Sequence, residues 1–136
     1  MTVREYMDRP FDYKNKIERC THLLQSLRNI VTGTSTPITG IPRASSPDNH
    51  KFEATMARIL DIETEIKELE KEQDKAVNEV TSAITSINNP ACEEVLTARY
   101  LEFKDWTTIA RDLDYCRDWV FRLHRKGMNL IRINPT

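Results

Sequence analysis

Glycine is nearly missing from this chain of 136 residues: it occurs three times, at 33, 40 and 127. Aromatic residues make up only 7%, and strand-like runs of Val, Ile and Thr are almost absent. A chain so poor in turn-forming glycine and in β-formers is expected to be all-helical. The cysteines are Cys20, Cys92 and Cys116, an odd number at wide spacing, which gives no disulfide framework and fits a reducing compartment. Together with His22, His50 and His124 they show no zinc spacing, since Cys20 and His22 stand too close to be a usual ligand pair. No metal or cofactor is therefore expected. The start, MTVREYMDRPFDYK, has no apolar core of signal-peptide length, and no run approaches a membrane span. A soluble protein of the cytoplasm is expected, with no membrane partner. Carboxylate pairs, a nucleophile beside a base and phosphate-binding glycine loops are also missing at usable spacing, so an enzyme is not expected.

What is present is charge, unevenly placed. Hydrophobic residues are 39% and charged residues 30%, and the net charge is only -1. Residues 51 to 87 nevertheless carry nine acidic and five basic side chains, and residues 115 to 136 carry five basic ones against Asp118 alone. The balance hides a basic C-terminal end, as a nucleic-acid-binding face requires.

Three pieces follow from the periodicity. From about Phe11 to Val31, apolar positions Tyr13, Ile17, Cys20, Leu24, Leu27 and Val31 recur at steps of four and three, a heptad seam. Pro10 falls where a first helical turn tolerates proline, and Gly33 is placed to stop the helix. Residues 32 to 50, TGTSTPITGIPRASSPDNH, hold three prolines and two glycines and read as a long flexible or partner-contacting connection. From about Lys51 to Ile87 the seam resumes through Ile59, Ile62, Ile66, Leu69, Gln73, Ala76, Val80, Ala83 and Ile87. Two such helices are expected to form a long antiparallel helical hairpin, a coiled coil, over residues 1–87. Each stripe can pack on the other, and a stripe can also make a homodimer through the heptad helices.

Asn88, Asn89 and Pro90 break the pattern. Residues 88–136 are expected to form a C-terminal helix-turn-helix domain. Its first helix carries Val95, Leu96, Tyr100 and Leu101 as core, and Asp105 caps the next one. With Trp106 as the first position of a helix-turn-helix template, Ile109 is fourth, Ala110 fifth and Leu113 eighth. Asp114 is then ninth, Tyr115 tenth, Val120 fifteenth and Leu123 eighteenth. The fifth position must be small because the second helix crosses over it. The ninth often needs a left-handed backbone, which Asp tolerates. The others close the small core.

In this register Cys116, Arg117, Asp118, Phe121, Arg122 and Arg125 face outward toward a major groove. Arg117 and Arg122 are the natural base readers, because a guanidinium can bond both acceptors of a guanine. Asp118 can accept from a cytosine amino group or orient a neighbouring arginine. Arg125, Lys126 and Arg132 would neutralise phosphates. Thr107 and Thr108 begin the first helix, where amides and hydroxyls can hold a phosphate. Trp119 can meet a sugar or a thymine methyl, or serve structure. His124 is expected to cap or pack, and Trp106 and Tyr100 to be core aromatics whose polar atoms reach a partner.

Three stretches, VREYM at 3 to 7, SSPDNHK at 45 to 51 and VLTARYLEFKDWTTIARDLDYCRDWVFRLHRKGM at 95 to 128, resemble a family of small phage and prophage proteins of Gram-positive bacteria. Members are transcriptional regulators whose C-terminal helix-turn-helix is like region four of sigma factors. The resemblance implies promoter DNA binding at late or packaging genes inside a bacterial host cell, with host RNA polymerase as a further partner. Two residues depart from the family pattern. Cys116 stands where a serine would normally cap the recognition helix, and Gly127 stands where alanine is usual, which should loosen the helix by up to about 1 kcal/mol. Two alternatives remain beside the regulator: a small terminase-like packaging subunit, and a module that grips RNA polymerase without reading DNA. Oligomer size separates the first, a ring pointing to packaging; loss of promoter binding with retained polymerase binding separates the second.

Overall fold

The computed structural model describes residues 1–33 and 49–133, so most of the connection expected over residues 32 to 50 lies outside the described residues. Among the described residues the chain is all-helical, with no strand. Five helices follow in order: α1 Val3–Thr32, α2 Asn49–Thr85, α3 Pro90–Leu96, α4 Trp106–Leu113 and α5 Arg117–Leu130. No helix is long and apolar enough to cross a membrane among the described residues. By compactness the chain divides into Met1–Lys14 with Glu72–Thr136, and Asn15–Lys71.

Helix α1 begins at Val3, eight residues before the expected start, and Pro10 lies inside it. Two local devices explain this. Thr2 Oγ1 accepts from the Glu5 amide at 3.1 Å while the Thr2 amide donates to Glu5 Oε2 at 3.2 Å. That reciprocal capping box satisfies two amides that the first turn leaves open. Pro10 has no N–H for the Tyr6 carbonyl one turn back; Arg9 Nε donates to that oxygen instead, at 3.0 Å. The proline is thus carried in the helix interior with its missing bond replaced.

In the unit of Met1–Lys14 and Glu72–Thr136, Met7, Val80, Ile84, Leu96, Tyr100 and Ile131 form one buried cluster. As α1 runs from Tyr6 to Pro10, its partners on α2 run back. Tyr6 Oη and Arg9 Nη2 both donate to Glu79 Oε2, at 3.3 and 3.1 Å, and Gln73 Nε2 donates to the Pro10 carbonyl at 3.3 Å. The expected seam shifts by one residue here: Ile84 is buried and Ala83 only half-buried. An α-helix turns 3.6 residues per turn, so a strict heptad stripe drifts off its facing side.

A second cluster joins Cys92, Val95, Ala98, Ile109, Ala110, Val120 and Leu123. Asn89 caps α3, accepting from the Cys92 amide at 3.3 Å, with Pro90 at the first helical position. Beyond Leu96 the helix does not continue evenly but passes into a π-helical turn, Thr97–Leu101. Glu102 caps it, and the next residue, Phe103, has a left-handed φ of 59°, an uncommon state for a bulky side chain. The Phe103 ring sits 5.6 Å from that of Phe11.

Gly127 has a packing role that its sequence context did not suggest. It is buried where α5 meets α3, and a Cβ there would stand 2.8 Å from Leu96 Cδ1 and 3.2 Å from Cys92 Cβ. The glycine therefore permits close helix packing, whatever it costs α5 in helix propensity. Gly127→Ala should gain about 1 kcal/mol of helix propensity but lose about 1–3 kcal/mol to overpacking. Urea denaturation should show a net loss of stability; a gain would mean that Leu96 moves aside at little cost.

In the unit Asn15–Lys71, α1 and α2 meet through buried Leu24, Ile59 and Ile62, with Cys20, Leu27, Val31 and Ile66 packed around them. The Arg28 guanidinium bonds Glu63 at 3.0 Å beside this cluster.

Candidate nucleic-acid interface

The site grows from the joint between α4 and α5. Asp105 Oδ1 accepts from the Thr108 amide at 2.7 Å, which starts α4. The Thr108 side chain first, then its amide, hold the Asp105 carboxyl below its usual range. At the other end Asp114 adopts φ 57°, ψ 41°, the left-handed conformation expected at the tight turn. The Tyr115 amide reaches back to the Ala110 carbonyl at 2.9 Å, and the Asp114 amide bonds the Ala110 and Arg111 carbonyls. This Schellman-type closure satisfies carbonyls that a helix end leaves free. Cys116 then starts α5 with no side-chain cap bond, as a thiol in place of a hydroxyl would.

Every template position falls where the small core needs it. Ile109, Ala110, Val120 and Leu123 are buried, and Leu113 and Tyr115 pack against them half-buried. Ala110, the small residue of the set, is buried in one cluster with Val120 and Leu123 of α5. The angle between the helices is further held by aromatic contacts. The Trp106 ring lies edge-on to Phe121 at 5.1 Å and to His124 at 4.9 Å, and the Arg99 guanidinium lies over it at 4.6 Å.

With one face of α5 fixed in this way, the rest is presented outward. Arg117, Asp118, Trp119, Arg122, Arg125 and Lys126 are all exposed, and so is Cys116. Among the described residues, Arg117, Arg122, Arg125, Lys126 and Arg132 make no ion pair with a carboxylate. Arg4, Arg9, Arg28, Lys104 and Arg111 all do. Arg117 instead lies 5.9 Å over the Phe121 ring. Asp118 stands in the first turn of α5, where a negative charge favours the helix dipole. The outward face of α5 thus carries Arg117, Arg122, Arg125 and Lys126 against Asp118, with none of the four in an ion pair among the described residues.

Three candidate residues come out differently in detail. Phe121 is at the edge of exposure and spends part of its ring on Trp106, so it supports the helix angle as well as the outer face. Thr107 is exposed, but the Thr108 amide is already taken by a carboxylate, which leaves little at the start of α4 for a phosphate. Trp119, at 44% exposure, packs against no other aromatic ring among the described residues and is the largest apolar surface on α5.

His124 packs, as expected, and its partner is a surprise of the fold. Its Nε2 lies 2.6 Å from the Tyr100 hydroxyl, and the two rings stack at 5.7 Å. Burial first, then the charges of Arg4 and Arg99, lower the His124 pKa to about 4, so the ring is neutral at pH 7. Between pH 6.5 and 4 the unfolded chain binds a proton that the folded chain refuses. Stability is therefore full above pH 6.5 and declines as pH falls toward 4. His124→Gln keeps a hydrogen-bonding group without the titration, and its urea midpoint should fall less than wild type's between pH 7 and pH 5. Equal falls would assign the acid sensitivity elsewhere.

Burial pushes the Cys92 thiol above its ordinary pKa, while Cys116 is exposed and Cys20 half-buried, all three free. No protein-family model matches the chain, and no curated protein or solved structure shows significant similarity to it.

Proposed function

We propose that the protein is a sequence-specific double-stranded DNA-binding regulator of transcription that reads DNA with α5. In this reading α4 and α5 are a helix-turn-helix of the sigma region-four kind, and α1 with α2 is a helical hairpin that carries it. The observation that carries the proposal is the outward row of α5. Its basic side chains have no carboxylate partners among the described residues, whereas its inner face is packed through Val120, Leu123 and Gly127. Arg117 and Arg122 act as the base readers, Asp118 orients or accepts beside them, and Arg125, Lys126 and Arg132 hold phosphates. Thr107, Cys116, Trp119 and Phe121 line the contact.

The resemblance to phage regulators supports late or packaging gene promoters as targets. A second reading, contact with host RNA polymerase, draws support from residues 61 to 74 of α2, where seven acidic side chains face two basic ones. Packaging as a small terminase-like subunit is the remaining alternative. Titration of the protein against fragments of the genome that encodes it, across a salt series, tests the proposal. One fragment should bind far more tightly than the rest; equal, weak binding to all would sink it.

A further inference from the structure

We propose that the bound duplex runs past α5 into a second phosphate site, the cleft between the start of α1 and the C-terminal half of α2. There Lys75, Asn78 and Ser82 hold its backbone beside Arg132. The inference rests on DNA reading by α5, and it makes the helical hairpin a DNA-contacting element as well as a carrier.

The cleft lies within the unit of Met1–Lys14 and Glu72–Thr136 and has a volume of about 1100 Å³. Three basic side chains line it, Arg9 from α1, Lys75 from α2 and Arg132 from the segment after α5, against one carboxylate, Glu79. That carboxylate is already engaged, because Tyr6 Oη and Arg9 Nη2 both donate to its Oε2. Arg9 is fixed twice more, through its Nε on the Tyr6 carbonyl and its guanidinium 4.1 Å over the Tyr6 ring. Arg9 and Glu79 therefore cancel. Lys75 stands one helical turn from Glu72 and from Glu79, yet neither it nor Arg132 makes an ion pair among the described residues. Asn78 and Ser82 are exposed in the same cleft and add an amide and a hydroxyl donor whose side chains make no hydrogen bond there. Two unpaired cations and two free donors are what a phosphate backbone requires.

The shape and place of the cleft select that occupant. Along α2 its lining runs from Lys75 to Ser86, about 16 Å, which is room for more than one phosphate of a strand. Arg132 stands two residues past Leu130, where α5 ends, so the cleft opens beside the C-terminal end of the reading helix. Helix α5 has 14 residues and is about 21 Å long, which puts a phosphate at Arg132 roughly six nucleotides from the bases that Arg117 reads. Lys75 belongs to another helix. Only a duplex seated in fixed register on α5 presents a phosphate to it, whereas loose binding to any sequence uses Arg125, Lys126 and Arg132 alone.

Fluorescence anisotropy on the full chain across a salt series tests this, with a preferred duplex that extends roughly ten base pairs beyond its motif on each side. Lys75→Gln changes an exposed side chain and should keep the wild-type helical circular dichroism. Its log–log salt slope on the preferred duplex should be shallower by about 0.9, a larger change than on a scrambled duplex, and Lys75→Arg should restore it. Glu79→Gln still accepts from Tyr6 and Arg9 but removes the cleft's negative charge, so it should bind the preferred duplex more tightly at low salt. Cutting the flanks from the duplex should give wild type the slope of Lys75→Gln. Equal slopes for wild type and Lys75→Gln, or a wild-type slope indifferent to the flanks, would overturn the proposal and leave reading by α5 standing. Absence of any preferred duplex would overturn both. Pyrophosphate binding to the free protein that Lys75→Gln abolishes, with the duplex slope unmoved, would assign the cleft to a free phosphate ligand and overturn the proposal as well.

Discussion

Replacing Arg117 and Arg122 together by alanine should erase the preference for one DNA sequence while leaving the fold intact. Both side chains are exposed and neither is engaged by a carboxylate among the described residues, so their removal leaves no buried charge behind. Each bidentate contact to guanine is worth about 1–3 kcal/mol of discrimination, so the pair should cost roughly 30-fold to 10⁴-fold in preference. Weak binding should survive through Arg125, Lys126 and Arg132. With three phosphate contacts, its dependence on salt should follow a log–log slope of about −2.7. Fluorescence anisotropy on a preferred and a scrambled duplex reads both quantities. A double variant that still prefers the same duplex would remove α5 as the reader.

The second large effect is on stability. Ile109→Ala deletes a fully buried side chain that Val120, Leu123 and Val95 surround in one cluster. Truncations of this kind cost about 2–5 kcal/mol, a large share of the whole stability of a small domain. The Tm should fall by about 10 °C or more, and DNA binding should be lost with it at temperatures where the variant is unfolded. Asp112→Ala on the same helix is the contrast. It removes an exposed partner of Lys104, an interaction worth at most about 1 kcal/mol, and should leave DNA binding unchanged. If Ile109→Ala melts like wild type, the joint between α4 and α5 is not held by this cluster.

Much of that joint was legible in the sequence because a tight two-helix joint leaves few choices. A small residue where the helices cross, a left-handed-tolerant residue in the turn and apolar residues at fixed offsets are demands of sterics, and Ala110, Asp114, Ile109, Val120 and Leu123 meet them at the expected places. The outward exposure of Arg117, Arg122 and Arg125 follows from the same register. The start of α1 was missed: the Thr2–Glu5 capping box marks it, but Pro10 draws the eye as a helix start when it is an interior residue whose lost bond Arg9 replaces.

Other features depend on approaches that periodicity cannot express. Gly127 looks like a weak point along its own helix, and only the position of Leu96 on α3 shows that a larger residue would force a neighbour to shift. The Tyr100–His124 contact joins residues on separate elements, and Tyr100 stands inside the π-helical turn Thr97–Leu101, which shifts the register of an even helix. Nothing in the local sequence announces that turn. For Trp119 the sequence left contact and structure both open, and the structure leaves its indole 44% exposed on α5.

The measurement that bears most directly on the central claim is selection from a pool of random duplexes by the full-length protein, followed by sequencing of what is retained at moderate salt. DNA reading by α5 predicts enrichment of a short motif containing guanines, and loss of that enrichment in the Arg117→Ala, Arg122→Ala variant. A retained pool as random as the starting one would contradict it, and the basic face of α5 would then have to be explained by a protein partner.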